Sequence, residues 1–416
     1  MSHIHPFSFS LHANVSGANL AELLFQRDGG YEPWALLMEV GALTLEQHLR
    51  WRNGNIDVLE PLLAMPTPLI LRLLREADDW ARQLGLGVEL VSRVTSKKSG
   101  DLCRALQQGK ARDEELFFTC YGARQIETGQ LDLFLDAGAT PIINDLRHRF
   151  LDHNIGTVTV LCARLRKDYP RHPSLANIEI LCAALTDSFD VCIEPCERLT
   201  VLIEQITPAA TQFFGHRARE FLGPFWLKLL PHFAGADFDA HKPHAHASWL
   251  HEQLGDWPGV FAATEPDRFD LYNEPSLLAR RALALYKMRR TADANVMWCQ
   301  LCWLDDECAN ELFQSADFPD GTLQSVWHDF LDLDSDLGGE PAWFPTWLLC
   351  VQPGLRFAFD ATPILRNPEG RAQLAFAILH ALITSEKASP NSVSAELRAT
   401  LKQHAPEILH WYLSKI

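Results

Sequence analysis

The stretch Ala245-His-Ala-Ser-Trp-Leu-His-Glu-Gln-Leu-Gly-Asp-Trp-Pro-Gly-Val-Phe-Ala-Ala263 decides the fold class. Two apolar segments of helical character flank Gly255-Asp256-Trp257, so the chain must reverse within three residues. A connection that short forces the two helices to run antiparallel, as an αα-hairpin.

The same form recurs outward from this point. Gly54-Asn55-Ile56 joins Leu45–Asn53 to Asp57–Leu63, and Gly129-Gln130-Leu131 joins Glu114–Thr128 to Asp132–Ala137. Asp187-Ser188-Phe189 joins Leu175–Thr186 to Val191–Ile206, and Thr291-Ala292-Asp293 joins Ser276–Arg290 to Ala294–Leu304. Periodicity near 3.6 supports helices at 16–27 (Leu20, Leu23, Leu24), 34–52 (Leu36, Leu37, Val40, Leu45, Leu49) and 68–84 (Leu69, Leu73, Ala77, Trp80). Thr44 with Gln47 has capping-box spacing, and Ser276 is expected to start the helix that runs to Arg290. The best β-like runs, Val88–Thr95 and Gly156–Leu161, are short and read equally as helix starts. The expected class is therefore all-α, built of stacked antiparallel helical hairpins.

Most intervals between these turns fall near one or two multiples of about 34–37 residues, a helical-repeat period; the interval from Gly129 to Asp187 does not. In Ala245–Ala263 a small residue, Ser248, stands where paired helices approach closely. Phe118-Thr-Cys-Tyr-Gly-Ala-Arg-Gln-Ile-Glu-Thr-Gly-Gln-Leu131 places Gly122 likewise. Over these two units the chain resembles the tetratricopeptide-type helical repeats. The other units lack the small-residue pattern and the closing proline. The resemblance implies a superhelical stack, an α-solenoid, with a concave face that holds a protein or peptide partner.

Pro-rich and acidic breaks suggest four regions: 1–110, 111–235, 236–320 with the repeat-like units, and a C-terminal helical cap at 321–416, all of which fit one continuous array. Within the last, Trp343–Gly354 reads as the cover of the final hairpin, as a dimer surface or as an insertion site for a partner.

Lys plus Arg number 37 and Asp plus Glu 53, giving −16 over 416 residues. Apolar residues at 47% and charged residues at 22% are globular values and exclude a disordered or collagen-like chain. No apolar run approaches the roughly 18 residues of a membrane helix, and the net charge opposes general nucleic-acid binding. The N-terminus lacks the pattern of a secretory signal. The 10 cysteines are scattered through apolar segments, the usage of reduced, buried thiols in a cytoplasmic protein.

Candidate chemistry is sparse. Asp237, Asp239, His241, His244, His246 and His251 gather metal-ligating types, but His246 and His251 diverge by about 140° on a helix, and no zinc motif is matched. Cys299 and Cys302, like Cys192 and Cys196, read as packing stripes. Asp332–Glu340 fails the calcium-loop pattern, because Leu337 stands where glycine is needed. Arg93, Lys97, Lys98, Arg104, Lys110 and Arg112 form a basic stretch against the overall charge, suited to an acidic partner or, alternatively, to phosphate. No phosphate loop, nucleophile elbow or dinucleotide fingerprint is present.

The expected function is a non-enzymatic scaffold or adaptor that needs no cofactor. His48, Trp51 and Arg52 are expected on its surface, because Leu45 and Leu49 mark the opposite, buried face; Trp249 joins them and the basic residues as a partner contact. A metal-dependent enzyme or helper built on the Asp237–His251 cluster is the first alternative. A regulator touching nucleic acid through Arg93–Arg112 is the second.

Overall fold

The computed structural model describes residues 16–28, 30–91, 93–122, 139–186, 194–265, 274–333, 337–361, 370–388 and 392–415. They are mostly helical. None of their helices is long and apolar enough to cross a membrane. The chain divides into two compact units: residues to Ala234 with Gln253–Asp256, and Gly235–Glu252 with Trp257 onward.

The first unit begins with α1 (Gly17–Asp28), β1 (Gly30–Tyr31), α2 (Pro33–Glu39), α3 (Leu45–Arg52) and α4 (Thr67–Gln83). The 34–52 periodicity is thus split between two helices. Thr44 starts α3 through the expected capping box: its hydroxyl accepts the Gln47 N–H at 3.2 Å, and the Gln47 side chain accepts the Thr44 N–H at 2.9 Å. The segment after Gly54 is not an α-helix. Val58 bridges to Arg104, and only Glu60–Leu62 form a short 3-10 turn.

Next come β2 (Gly87–Leu90), α5 (Ala111–Glu115) and β3 (Thr119–Gly122). Here a short three-stranded sheet interrupts the otherwise helical chain that the sequence leads one to expect. β3 pairs antiparallel with β1 on one side and β2 on the other. The beginning of the second repeat-like unit, Phe118–Leu131, is therefore sheet, and Tyr121 is buried against Tyr31 with ring centroids 6.1 Å apart. The remainder of that unit and its Gly129 turn lie outside the described residues, as does the turn at Asp187. Of the two β-like runs, Val88–Thr95 supplies β2, whereas Gly156–Leu161 lies within a helix.

α6 (Thr140–Leu151), α7 (Ile155–Asp168), α8 (Leu175–Thr186), α9 (Pro195–Val201), α10 (Thr207–Phe214) and α11 (Ala218–Phe233) complete the unit. Successive members pack on one another in hairpin fashion: α6 on α7, α7 on α8, α8 on α10, α10 on α11. Asn154 caps α7 by accepting the Thr157 N–H at 3.2 Å. Between α9 and α10 the helix widens to a π-turn over Leu202–Ile206. Pro208 has no N–H to return to the preceding turn, and such a gap is a recognised cause of local rewinding.

The second unit holds α12 (Ala247–Leu254) as far as Glu252, α13 (Trp257–Ala263), α14 (Pro275–Lys287), α15 (Thr291–Leu304), α16 (Asp306–Gln314) and α17 (Gly321–Leu331), followed by α18 (Phe344–Val351), α19 (Arg356–Ala361), α20 (Arg371–Ala388), α21 (Ser392–His404) and α22 (Pro406–Lys415). The Gly255 turn falls where the sequence places it. The most extensive antiparallel packing, however, is between α14 and α15. α14 opens at Pro275 and not behind a Ser276 cap, because proline is preorganised for the first helical position. Phe313, Trp327, Phe330 and Phe344 meet at 4.8–5.8 Å in the core of this unit. Every residue from Phe344 to Cys350 is buried, so this part of Trp343–Gly354 is interior to the unit, whereas Val351 and Gly354 are exposed.

Candidate binding surface

The basic stretch forms one local structure. The Cys103 N–H donates to the Val94 carbonyl at 2.8 Å, Thr95 pairs with Leu102, and the Ser96 N–H donates to the Asp101 carbonyl at 2.7 Å. This is a small hairpin with Lys97 and Lys98 at its tip and Arg93 opposite Arg104 at its base. The Ser96 hydroxyl accepts the Lys98 and Ser99 N–H groups at 3.0 and 3.2 Å and donates to Asp57 at 2.5 Å. The Lys97 N–H donates to the Gly54 carbonyl at 2.8 Å. Gly54 has a φ of +70°, and a Cβ there would stand 2.4 Å from the Thr95 carbonyl oxygen. Glycine is thus required for the chain to approach and pin the hairpin.

Arg93, Lys97, Lys98, Arg104, Lys110 and Arg112 are all exposed, and none has a carboxylate within ion-pair distance among the described residues. Other arginines of the unit contrast with them: Arg75 pairs with Asp113 at 2.7 Å and Arg82 with Asp78 at 2.8 Å. The Arg93 guanidinium lies 4.8 Å above the Phe118 ring, a cation–π contact that holds it beside the sheet. Lys110 and Arg112 border a cleft of about 320 Å³ that also includes Arg75, Asp78, Asp79 and Asp113.

His48, Trp51 and Arg52 are not a surface. Leu45 and Leu49 do bury one face of α3, against α11, whose Gly223 leaves room: a Cβ there would stand 2.7 Å from Leu49. The other face is buried as well, and His48 and Trp51 are 0% and 2% exposed. His48 stacks on Trp34 with ring centroids 5.0 Å apart, and the Trp51 indole N–H donates to the Arg104 carbonyl at 3.0 Å.

Arg52 joins a buried charge network with Glu220 (3.5 Å). Arg217 bridges Glu220 (3.0 Å) and Glu32 (3.3 Å). Burial alone would raise the Glu220 carboxyl, but Arg217 and Arg52 more than offset this and hold it below its ordinary range. Burial, aided by Arg52 and Arg217 and opposed by Glu220, pushes the His48 imidazole down to about 3. Neither of its ring nitrogens has a hydrogen-bond partner among the described residues. Sequence reasoning missed this network because Glu32 and Arg52 are far along the chain from the Arg217–Glu220 pair. A second buried group, the Tyr121 hydroxyl donating to Asp78, escaped it for the same reason.

The Asp237–His251 cluster does not converge. Asp237, Asp239, His241 and His244 are exposed, whereas His246 is buried. Asp239 accepts the His241 backbone N–H, His244 packs edge-on against half-buried Trp249, and His246 Nδ1 lies 2.9 Å from the Ser248 hydroxyl. Among the described residues no group of three or more His, Cys, Asp and Glu side chains has metal-binding geometry. His246 Nδ1 is engaged by the Ser248 hydroxyl and N–H at the start of α12. Cys299 and Cys302 are buried on α15 and burial raises both thiols. Cys192, Asp334 and Asp336 lie outside the described residues.

Comparison of the chain with protein-family models, with curated proteins and with solved structures gives no match.

Proposed function

We propose that the chain is a helical scaffold or adaptor, and that an acidic segment of a partner protein docks on the basic hairpin Arg93–Arg104. One observation carries this reading. In a chain of net charge −16, this hairpin presents exposed cations that no carboxylate of the described residues neutralises. Such a patch attracts an acidic partner, while the acidic remainder repels it, so encounter and orientation are set together. The hairpin-like packing of α6 to α11 and of α13 to α16 supports the wider idea of a helical-repeat array with a concave partner-binding face.

The test is capture from extract of the native host with the full chain and with a Lys97→Glu, Lys98→Glu variant, at about 0.1 M and about 0.5 M salt. The expected result is a co-purifying protein with an acidic segment that is lost from the variant and at high salt, and that nuclease treatment leaves in place. Identical capture by both proteins refutes the docking site. Loss of capture on nuclease treatment would transfer the hairpin to a nucleic-acid ligand.

A further inference from the structure

The strand that leads into the basic hairpin is itself unfinished. β2 is an edge of the sheet, bonded to β3 on one side. Its register fixes which backbone groups that pairing uses. The Val91 N–H donates to the Phe118 carbonyl at 2.9 Å, so those two residues form a hydrogen-bonded pair. In an antiparallel ladder such pairs alternate with non-bonded ones. Glu89 with Cys120 and Gly87 with Gly122 are then bonded, and Val88 with Tyr121 and Leu90 with Thr119 are not. Val88 and Leu90 consequently turn their N–H and C=O groups away from β3, and no described residue supplies these groups with a backbone partner.

The same two residues are 56% and 69% exposed. Edge strands are usually blunted by charge or proline at such positions; here both are aliphatic. Arg93 follows three residues after Leu90 and sits over Phe118, the residue whose carbonyl Val91 bonds. Lys97 and Lys98 lie at the tip of the hairpin that continues from it.

We propose that the free edge of β2 accepts an extended acidic segment of a partner protein as an added strand. The inference rests on the adaptor reading above and specifies how the partner is held. Main-chain hydrogen bonds form with Val88 and Leu90, alternate apolar side chains of the segment cover those two residues, and its carboxylates face Arg93, Lys97 and Lys98. Strand addition draws affinity from the backbone and selectivity from alternate side chains, and the charge of the hairpin selects acidic sequences.

The probe is a fluorescein-labelled nonapeptide alternating valine with glutamate, titrated with the full chain and read by anisotropy. Val88→Pro removes one outward N–H without touching the β2–β3 ladder, since proline is tolerated at such edge positions. A version of the peptide N-methylated at alternate residues removes the matching donors. Both changes are expected to weaken binding tenfold or more, with an unchanged melting curve for the variant. Lys97→Glu with Lys98→Glu is expected to weaken binding and flatten its salt dependence. Absence of binding to the unaltered chain overturns the inference. So does equal binding by Val88→Pro and by the methylated peptide. If that equality is accompanied by loss of binding on charge reversal, strand addition falls and docking on the hairpin stands. If charge reversal is also without effect on the bound peptide, the adaptor reading falls with it.

Discussion

The His48 site predicts a specific acid sensitivity. Its imidazole lies between Trp34 and Trp51 and is fully buried, with no partner on either nitrogen among the described residues. Burial lowers it from 6.5 to about 3. The folded form therefore binds fewer protons than the unfolded chain at any pH between those values. The stability it contributes is complete above 6.5 and is lost progressively as the pH falls toward 3. At about pH 5 the unfolded chain carries a proton on His48 that the folded chain excludes. The cost is about 1.4 kcal/mol per pH unit over about 1.5 units, or about 2 kcal/mol. His48→Phe keeps an aromatic ring between the two indoles and removes the titration. Its effect at neutral pH mixes relief of unpaired polar groups with altered packing, each of about 1–3 kcal/mol, so the informative quantity is the change with pH. Urea unfolding followed by tryptophan fluorescence, at about pH 7.5 and about pH 5, measures it. The variant should gain about 2 kcal/mol on the unaltered protein between the two conditions. His48→Gln, which does not titrate either, should show the same gain whatever its stability at neutral pH. Parallel pH profiles for all three proteins would refute the assignment of a neutral, depressed His48.

Other changes test the packing around it. Glu220→Gln leaves Arg52 and Arg217 without their shared buried counter-charge and should cost about 3–5 kcal/mol in urea unfolding. Gly54→Ala imposes a left-handed alanine and drives its methyl against the Thr95 carbonyl. A loss of at least about 2 kcal/mol is expected, with faster hydrogen exchange at the Lys97 N–H that bonds Gly54. Trp327→Ala empties a fully buried site stacked on Phe313 at 4.8 Å and should cost about 3–5 kcal/mol; Trp327→Phe, which loses an indole N–H that has no partner, should cost far less.

The helical character was legible where a helix buries one stripe. α4 runs Thr67–Gln83 on a periodicity visible from Leu69 to Leu84, and the Thr44–Gln47 capping box needed only local spacing. The sheet was not legible, because its strands are two and four residues long, too short for a period of two to declare itself. Phe118–Gly122 has the aromatic and small residues of a packed helix, and only its partners Gly30–Tyr31 and Gly87–Leu90 make it a central strand. The candidate contacts on α3 failed for a related reason. Leu45 and Leu49 identify one buried face, but in a helix of eight residues that is covered on both sides they cannot identify an exposed one. The pairing of Arg52 with Glu220 exists only after the chain has folded back on itself. The basic hairpin was the reverse case. Its composition was plain in the sequence, and the structure added the absence of counter-charges among the described residues.

That absence bears on how the charge of the chain is arranged. Carboxylates outnumber cations by 53 to 37, and many arginines find one, among them Arg166 with Glu179 at 2.7 Å and Arg290, at the start of α15, with Asp293 at 2.7 Å. Exposed pairs of this kind contribute only about 0–1 kcal/mol each, so leaving the hairpin cations unpaired costs folding little. In the proposed adaptor its effect falls on association. An acidic segment approaching an acidic protein is repelled over most of the surface, within a screening length of about 8 Å in physiological salt. It meets exposed cations without a counter-charge among the described residues at Arg93, Lys97 and Lys98. A hairpin pinned by Gly54 and Asp57 keeps those charges together, so the field they produce is a fixed property of the fold. The strand edge at Val88 and Leu90 lies at the base of that hairpin, where a segment drawn in by charge would find unused backbone hydrogen bonds.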